Sequence, residues 1–418
     1  MTWAAASWEA GRPAAHRIDV WDVLAFGMLV MSLLLYSQGW ILPIFGESFD
    51  EASSAAIRNA YLPAYAAGVA VLAMRPWDTA MATLRQPFLL ALLAVAALSM
   101  VWSIAPDATV RRLVALFATT LTGVVLAVRF RWATMAEIMA TTLGLLAVAS
   151  FVAGLVLPFG RMTELFPGAW RGVWMEKNAL GGTMAMAFSI FGATALLVPK
   201  RAWLWWSLAG LALGLVLLST SKTSLVSLGL GGAALAFVWI CRRGAASGVA
   251  ATWAAVTGAA LLAAFLLFAA DVFLELLGKD ATLTGRTKIW AAVMRQIEER
   301  PWTGFGYSAV WDDKSGWGPL AWITKDAGFK AQHAHNSWLE QWLGMGLGGL
   351  IAWALFYGQT VLAALVAVFR EKGAYLALPF LVIYSLVSLT ESIAVSYNDL
   401  RWAIFVALAV KLAGGDRE

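Results

Sequence analysis

The sequence is poor in charged residues, cysteine and histidine, and each scarcity excludes a class of protein. Charged residues make up 13% of the 418 positions and hydrophobic residues 61%, so this is not the composition of an ordinary soluble domain. The single cysteine, Cys241, has no partner for a disulfide or a CxxC metal site. Only three histidines are present, which leaves few candidates for a general base near neutral pH. The net charge of +5 is modest, and no nucleic-acid partner is predicted.

Apolar runs of bilayer length are abundant instead, and the mean hydropathy is +0.73. A helix needs roughly 20 apolar residues to cross about 30 Å of hydrocarbon, whereas a membrane β-barrel shows short alternating segments. We therefore predict an all-α integral membrane protein, a single domain over 1–418 with about twelve transmembrane helices. The apolar segments are 20–36, 57–74, 87–103, 110–128, 136–157, 179–198, 203–219, 223–241, 249–273, 347–369, 374–391 and 399–413.

Basic residues in the short loops predict the orientation. They fall on one side of the predicted bundle, which is cytoplasmic by the positive-inside rule. An even number of spans then places the long loop region 274–346 on the other side. In a cell with two membranes that other side is the periplasm, so the loop is predicted to be periplasmic and the chain to lie in the inner membrane. The basic pairs are Arg12 and Arg17, Arg75 and Arg85, Arg129 and Arg131, Lys200 and Arg201, Arg242 and Arg243, and Arg370 and Lys372.

A polar island between Leu283 and Gly349 interrupts the apolar sequence. Thr284 can cap a short helix that ends near Pro301, and a second helix is expected from about Asn336. The loop is thus predicted to contain short helices. Charge and imidazole are costly beside bilayer-length segments, so these residues are predicted to have a function.

Four cations on the outward side would suit a diphosphate, because guanidinium and ammonium groups bind phosphate oxygens through charge-assisted hydrogen bonds. They are Arg171, Lys177, Lys222 and Arg286. Helix starts after Asn178 and Lys222 could add backbone donors. For Lys222 a functional role is favoured, whereas Arg171 and Lys177 fit structural and binding roles equally.

Structural alternatives exist for the other arginines as well. Arg111 and Arg112 are typical of a helix end anchored at lipid headgroups. Arg286 could pair with Glu298 or Glu299, although its position directly after a glycine favours binding.

His335 and His333 are the histidines on the outward side, since His16 lies in the predicted cytoplasmic tail. An imidazole can take a proton from a sugar hydroxyl, although a lone histidine is more often structural. The HxH pair could suggest a metal ion, but no third ligand is evident, and no metal is predicted.

Two further features have simple interpretations. The GFGY turn, 304–307, resembles a nucleotide loop but lacks the following GK[ST], which favours an ordinary turn. Glu47, Asp50 and Glu51 could hold a divalent cation. A solvated acidic face is the preferred interpretation.

The order of these pieces resembles the O-antigen ligase and polysaccharide polymerase superfamily, the Wzy-C type of membrane glycosyltransferase. The matching segments are RGVWMEKNALGG, LLSTSKTSL, LTGRTKIW with ERPWTGFGYSAVW, and AHNSWLEQWLGMGLGG. The resemblance implies a GT-C-like fold and a metal-independent, cofactor-free inverting transferase. Its donor would be a glycan linked to undecaprenyl diphosphate.

The resemblance also implies roles for individual residues. The family's histidine before asparagine falls on His335, expected to activate the acceptor hydroxyl, and its loop arginine falls on Arg286, expected to hold the donor diphosphate. Its basic residue in the SxS[RK] turn falls on Lys222, where arginine is commoner. His333, Asn336 and Asn178 are expected to support the site.

Three functions remain open. The first is a polymerase of exopolysaccharide or O-antigen repeat units, which the Lys177–Asn178 pair in its GVWMEKNALGG context favours slightly. The second is a ligase of lipopolysaccharide biosynthesis that transfers the glycan to lipid A-core. The third is a lipid-linked glycan transporter or flippase, although transport sites usually lie near the bilayer midplane.

Overall fold

The computed structural model describes residues 19–48, 50–164, 166–268 and 286–414. These residues form helices and one isolated β-bridge, between Arg161 and Trp170, and they contain no β-strand. The predicted all-α membrane architecture is confirmed.

The first half of the chain contains helices of very different length. They are α1 (Val20–Tyr36), α2 (Ile41–Phe45), α3 (Glu51–Ala60), α4 (Leu62–Met74), α5 (Pro76–Leu84), α6 (Pro87–Leu98), α7 (Pro106–Arg129) and α8 (Trp132–Val156). The second half continues this pattern and adds the helices of the loop region. They are α9 (Lys177–Leu197), α10 (Ala202–Leu218), α11 (Lys222–Cys241), α12 (Ala245–Phe268), α13 (Arg286–Glu299), α14 (Pro319–Ala327), α15 (Ser337–Ala367), α16 (Ala374–Ser388) and α17 (Leu400–Gly414).

Helices cover all twelve predicted apolar segments as far as those segments are described. By length and composition, seven helices of the described chain could cross a membrane, and α5 with α6 forms an eighth candidate that is bent by 89°. Helices α1 and α16 are apolar but shorter. The seven are Pro106–Arg129, Trp132–Val156, Lys177–Leu197, Pro199–Leu218, Lys222–Cys241, Ala245–Phe265 and Ser337–Ala367.

Helices α9 and α11 run side by side in the same direction. Gly181 lies against Ser224 near the start of both helices, and Gly192 lies against Leu235 farther along. Small residues let helix backbones approach closely in a membrane. The first turns of α9 and α11 therefore lie next to each other.

Helix α16 runs in the opposite direction to α11. Gly231 of α11 faces Ile383, whose Cδ1 would lie 2.5 Å from a Cβ at that glycine. At the other end of the pair, the Arg242 guanidinium lies over the Tyr375 ring. The end of α16 consequently lies at the same end of the bundle as the starts of α9 and α11.

The loop region has its own small hydrophobic core, formed by α13, α14 and the segments around them. The apolar face of α13 is buried, including Ile289 and Val293, and the helix ends at Glu299. The prediction that Pro301 marks its end is confirmed. Thr284, its predicted cap, lies outside the described residues. The predicted domain boundary 274–346 stays a prediction.

Helix α15 joins the loop region to the bundle through a kink. Gly346 has φ +67°, and a Cβ there would lie 2.1 Å from the carbonyl oxygen of Trp302. The GFGY turn packs on this kink, since Phe305 N–H donates to Leu343 O at 3.0 Å and Gly306 N–H donates to Gly344 O at 2.8 Å. The backbone amides of the GFGY turn thus bind carbonyl groups of α15. This structural role agrees with the prediction that the segment is an ordinary turn.

Candidate functional site

The central feature of the site is a carboxylate between a histidine and an arginine. Glu391 lies three residues beyond the end of α16. Its Oε2 is 3.0 Å from His335 Nδ1, and its Oε1 accepts a hydrogen bond from Arg286 Nη2. Arg286 is the first residue of α13. Three segments far apart in the sequence therefore meet at one carboxyl group.

All three side chains are partly accessible. The exposed fractions are 14% for Arg286, 26% for Glu391 and 27% for His335. Burial alone would raise the pKa of the Glu391 carboxyl, but the hydrogen bond from His335 and the charge of Arg286 outweigh it, so the pKa lies below its ordinary value. Glu391 is therefore a carboxylate at neutral pH.

This carboxylate selects one tautomer of His335. A carboxylate only accepts hydrogen bonds, so the neutral imidazole carries its proton on Nδ1, which faces Glu391. The Nε2 lone pair then remains for a proton acceptor role, as in other histidines oriented by a carboxylate.

The backbone of His335 is in the left-handed region, with φ +50°. Its N–H donates to His333 Nδ1 at 3.3 Å, and the two ring centroids are 3.9 Å apart. On the other side, Asn336 Oδ1 accepts from Trp338 N–H at 2.9 Å and caps α15. The predicted helix start near Asn336 is confirmed. The imidazole is held between a neighbouring ring and a helix cap.

His333 is neutral at physiological pH. Burial, together with the charges of His335, Arg401 and Arg286, lowers the pKa of His333 to about 4, against the opposing effect of Glu391. A neutral His333 can accept the His335 N–H on Nδ1. Its supporting role in the site stays a prediction.

A second carboxyl group, Glu340 of α15, links the segments that carry His335 and Glu391. It accepts hydrogen bonds from Ala334 N–H and Ser392 Oγ, each at 2.9 Å, and from Trp311 Nε1. Ser337 adds a parallel link, because its Oγ donates to the Glu391 carbonyl oxygen at 2.8 Å. The loop before α15 and the loop after α16 are therefore fixed to each other.

Sequence reasoning assigned no role to Glu391 or Glu340. Glu391 is the first residue of the segment ESIAVSYNDLRW, and Glu340 lies among apolar residues at the start of α15. An ionisable residue next to membrane segments was the available signal.

Lys177, Asn178 and Lys222 form a second group, at the adjacent starts of α9 and α11. Lys177 Nζ donates to Thr220 Oγ1 at 3.3 Å and lies 3.6 Å from the centre of the Phe166 ring. Asn178 Oδ1 accepts from Ser221 Oγ at 2.9 Å. Lys222, the first residue of α11, is exposed. Two ammonium groups and two helix starts thus lie together, and their use as an anion site stays a prediction.

Arg171 is buried and is engaged by the protein itself. Its guanidinium pairs with Glu47, and its Nε donates to Phe159 O at 2.7 Å. Nη1 donates to Met175 O at 3.4 Å. These bonds tie down the segment before α9, and a part in diphosphate binding stays a prediction. Asp50, in the same acidic loop as Glu47, caps α3 by accepting from Ser53 N–H at 2.7 Å.

The His335 group and the Lys222 group lie at the same end of the bundle, because α9 and α11 begin where α16 ends. Arg112, near the start of α7, joins this end to the loop region: it bonds to the Ser308 carbonyl oxygen and lies 3.8 Å from Asp312. The predicted headgroup anchor therefore contacts protein. The cations and the imidazole thus lie at one end of the bundle.

A possible third metal ligand also comes from Glu391. His333, His335 and Glu391 each offer one ligand atom, and these three atoms lie within 4.8 Å of one another. Glu391 is thus the third ligand that the sequence did not show. Arg286 shares the same carboxylate, and its positive charge opposes a divalent cation there.

Two comparisons relate the chain to known proteins. Residues 207–354 match the O-antigen ligase family, Wzy_C, a range that includes Lys222, Arg286 and His335. The chain is also similar to the exopolysaccharide production protein ExoQ of Rhizobium meliloti (strain 1021), with 30% identity over 245 residues. That alignment covers 53% of this chain and 55% of the relative, so the chain spans about half the length of the curated relative that it matches. Both matches support the resemblance of this chain to the O-antigen ligase and polysaccharide polymerase superfamily.

Proposed function

We propose that the chain is an inverting glycosyltransferase that moves a glycan from undecaprenyl diphosphate to a sugar hydroxyl, and that it polymerises exopolysaccharide or O-antigen repeat units. The observation that carries this proposal is the contact of His335 with Glu391 beside Arg286. A base with a fixed tautomer and a cation for the leaving group are the two components that such a transfer needs.

In the proposed reaction, His335 Nε2 takes the proton of the acceptor hydroxyl as its oxygen attacks the anomeric carbon. The bond from that carbon to the diphosphate oxygen breaks, and its electron pair leaves with undecaprenyl diphosphate. Attack opposite the leaving group inverts the anomeric configuration. Glu391 stabilises the imidazolium that forms.

The cations stabilise the departing diphosphate. Arg286 has further guanidinium donors besides the one on Glu391, and a guanidinium can bind two phosphate oxygens at once. Lys222 and Lys177 add point charges at the starts of α11 and α9. We propose that Arg171 supports this site by holding the segment before Lys177.

We further propose that the reaction needs no metal ion. Glu391 is already engaged by His335 and Arg286, so the same groups serve the base and the leaving group without one. The site would face the periplasm from the inner membrane, with the loop region 274–346 on that side.

The choice between polymerase and ligase depends on the acceptor. Similarity to an exopolysaccharide production protein supports a polymerase, whereas the matched family is described as O-antigen ligase, which supports a ligase. Purified protein would be given the lipid-linked donor with either a second repeat unit or lipid A-core. Extension of the repeat unit alone supports the polymerase.

Two substitutions test the assigned residues. His335→Ala should remove turnover while leaving donor binding largely intact, and Arg286→Ala should weaken donor binding as well. Lys288→Ala is the matched control, because Lys288 is an exposed cation on the same helix. Undiminished product from either site variant would reject the role of that residue. Movement of lipid-linked glycan across vesicles without a new glycosidic bond would favour a transporter.

A further inference from the structure

A polar cavity of about 1070 Å³ lies at the other end of the bundle. Helix α7 connects the two ends: Arg112, near its start, contacts the loop region, and Arg129 is its last residue. At 1.5 Å per residue, its 24 residues span about 36 Å. The cavity is therefore distinct from the His335 site.

The cavity is rich in positive charge. Three carboxylates accompany six cationic side chains, and two of the three are already paired: Asp22 with Arg129 at 2.6 Å and Glu137 with Arg201 at 3.2 Å. The third is Asp78. The cations are Arg75, Arg85, Arg129, Arg131, Arg201 and Lys411. The net positive charge favours an anionic ligand.

Arg129 is a buried cation of the cavity, and its guanidinium lies 2.6 Å from Asp22 and 3.9 Å from Asp19. Its side chain is only 9% exposed, yet its Nε has no hydrogen-bond partner among the described residues. A buried donor without a partner is costly, and such groups in folded proteins are usually satisfied. An anion in the cavity would instead stabilise the charge of the guanidinium as a whole.

The setting of the cavity points to a lipid. Helix α5 turns by 89° from α6, so it lies across the end of the bundle if α6 follows the membrane normal. It presents Trp77, 75% exposed, together with Met81 and Leu84, as expected of a helix at the membrane interface. Trp77 and Met81 also line the cavity. Apolar contacts for acyl chains therefore adjoin the cations.

We propose that this cavity binds the phosphate headgroup of an anionic membrane lipid, with Arg129 at its base and Arg75, Arg85 and Arg131 around it. Basic pockets between transmembrane helices are known to bind such headgroups. The ligand would occupy the leaflet opposite the His335 site, which distinguishes it from the donor lipid of the proposed reaction.

Native mass spectrometry of the purified full chain tests this proposal. Phosphatidylglycerol should bind more tightly than the zwitterionic phosphatidylcholine. The double variant Arg75→Gln/Arg131→Gln should weaken phosphatidylglycerol binding about 30-fold, or about 5-fold for each cation removed. Arg75 and Arg131 are both exposed, and both lie outside the helical segments. The double variant therefore leaves the buried Arg129 unchanged.

Lys200→Gln is the matched control, because Lys200 is an exposed cation beside Arg201 that does not line the cavity. It should leave lipid binding unchanged. The proposal would be overturned if the two lipids bound with equal affinity, or if the double variant bound phosphatidylglycerol as tightly as the native protein. A loss of affinity in Lys200→Gln as large as in the double variant would also overturn it. Displacement of the lipid by millimolar inorganic phosphate would assign the cavity to free phosphate and overturn the lipid assignment.

Discussion

Replacing Glu391 with glutamine is the most informative perturbation of the proposed site. The change keeps the length of the side chain but removes the negative charge between His335 and Arg286. A glutamine amide can present either an oxygen or an NH₂ group to His335 Nδ1. When the NH₂ group faces His335, it donates a hydrogen bond to Nδ1, and the imidazole then carries its own proton on Nε2. That tautomer has no lone pair on Nε2 with which to act as a base.

The expected effect follows from the contribution of a general base, which is about 10²–10⁴-fold in rate. The base itself remains in the variant, but its tautomer and orientation are no longer fixed by charge. We expect kcat to fall about 100-fold or more, and 100-fold corresponds to about 2.7 kcal/mol of activation free energy. Donor KM should change less, because Arg286 keeps its own charge.

Initial rates at varied acceptor concentration, with donor in excess, measure this effect. Glu391→Asp should recover part of the rate, since it restores the charge on a shorter side chain. Glu298→Gln on the exposed face of α13 removes the same charge without touching His335. A kcat for Glu391→Gln within a few-fold of native, or an equal loss for Glu298→Gln, would refute the reasoning.

Three further predictions test other parts of the site. Lys222→Ala should raise donor KM by about 10-fold, since one charge-assisted hydrogen bond is worth about 1.5–3 kcal/mol. Lys222→Arg should retain donor binding in the same kinetic assay. A donor KM of Lys222→Ala equal to that of the native protein would show that Lys222 does not belong to the diphosphate site. Activity should persist in excess chelator, and its loss would instead identify His333, His335 and Glu391 as ion ligands. The pKa of His333 falls from 6.5 to about 4 on folding. Between pH 6.5 and pH 4, therefore, His333 takes up a proton only in the unfolded chain, and the free energy of unfolding decreases as the pH is lowered. His333→Gln should therefore lose less thermal stability than native protein between pH 7 and pH 5, and identical losses would contradict this assignment.

The membrane architecture was predictable because it depends on properties that are local in the sequence. The length of an apolar run determines whether a helix can cross the bilayer, and the described parts of seven predicted segments lie in helices of sufficient length. The end of α13 before Pro301 and the cap of α15 at Asn336 follow equally local rules of helix termination and capping. Such rules need no knowledge of which segments meet.

The arrangement of the site was less predictable because its key contacts are long-range. Glu391 is 56 residues from His335 and 105 residues from Arg286, and nothing in the spacing indicates that one carboxylate contacts both. The same separation in the sequence concealed Glu391 as the third potential metal ligand beside His333 and His335. Arg171 shows the reverse problem, since its basic character suggested a ligand contact while its bonds are to Glu47 and two backbone carbonyls.

The backbone of His335 gives an independent reason to regard this loop as functional. A residue other than glycine in the left-handed region costs of the order of 1–3 kcal/mol, and such residues cluster at active sites. At His335 the surrounding contacts offset this cost, because Glu340 holds Ala334, His333 accepts the His335 N–H, and Asn336 starts α15. An imidazole needed only for packing could occupy an ordinary helical or extended position. The strained backbone instead holds the ring against Glu391, which is the preorganisation that the proposed role of His335 as a general base requires.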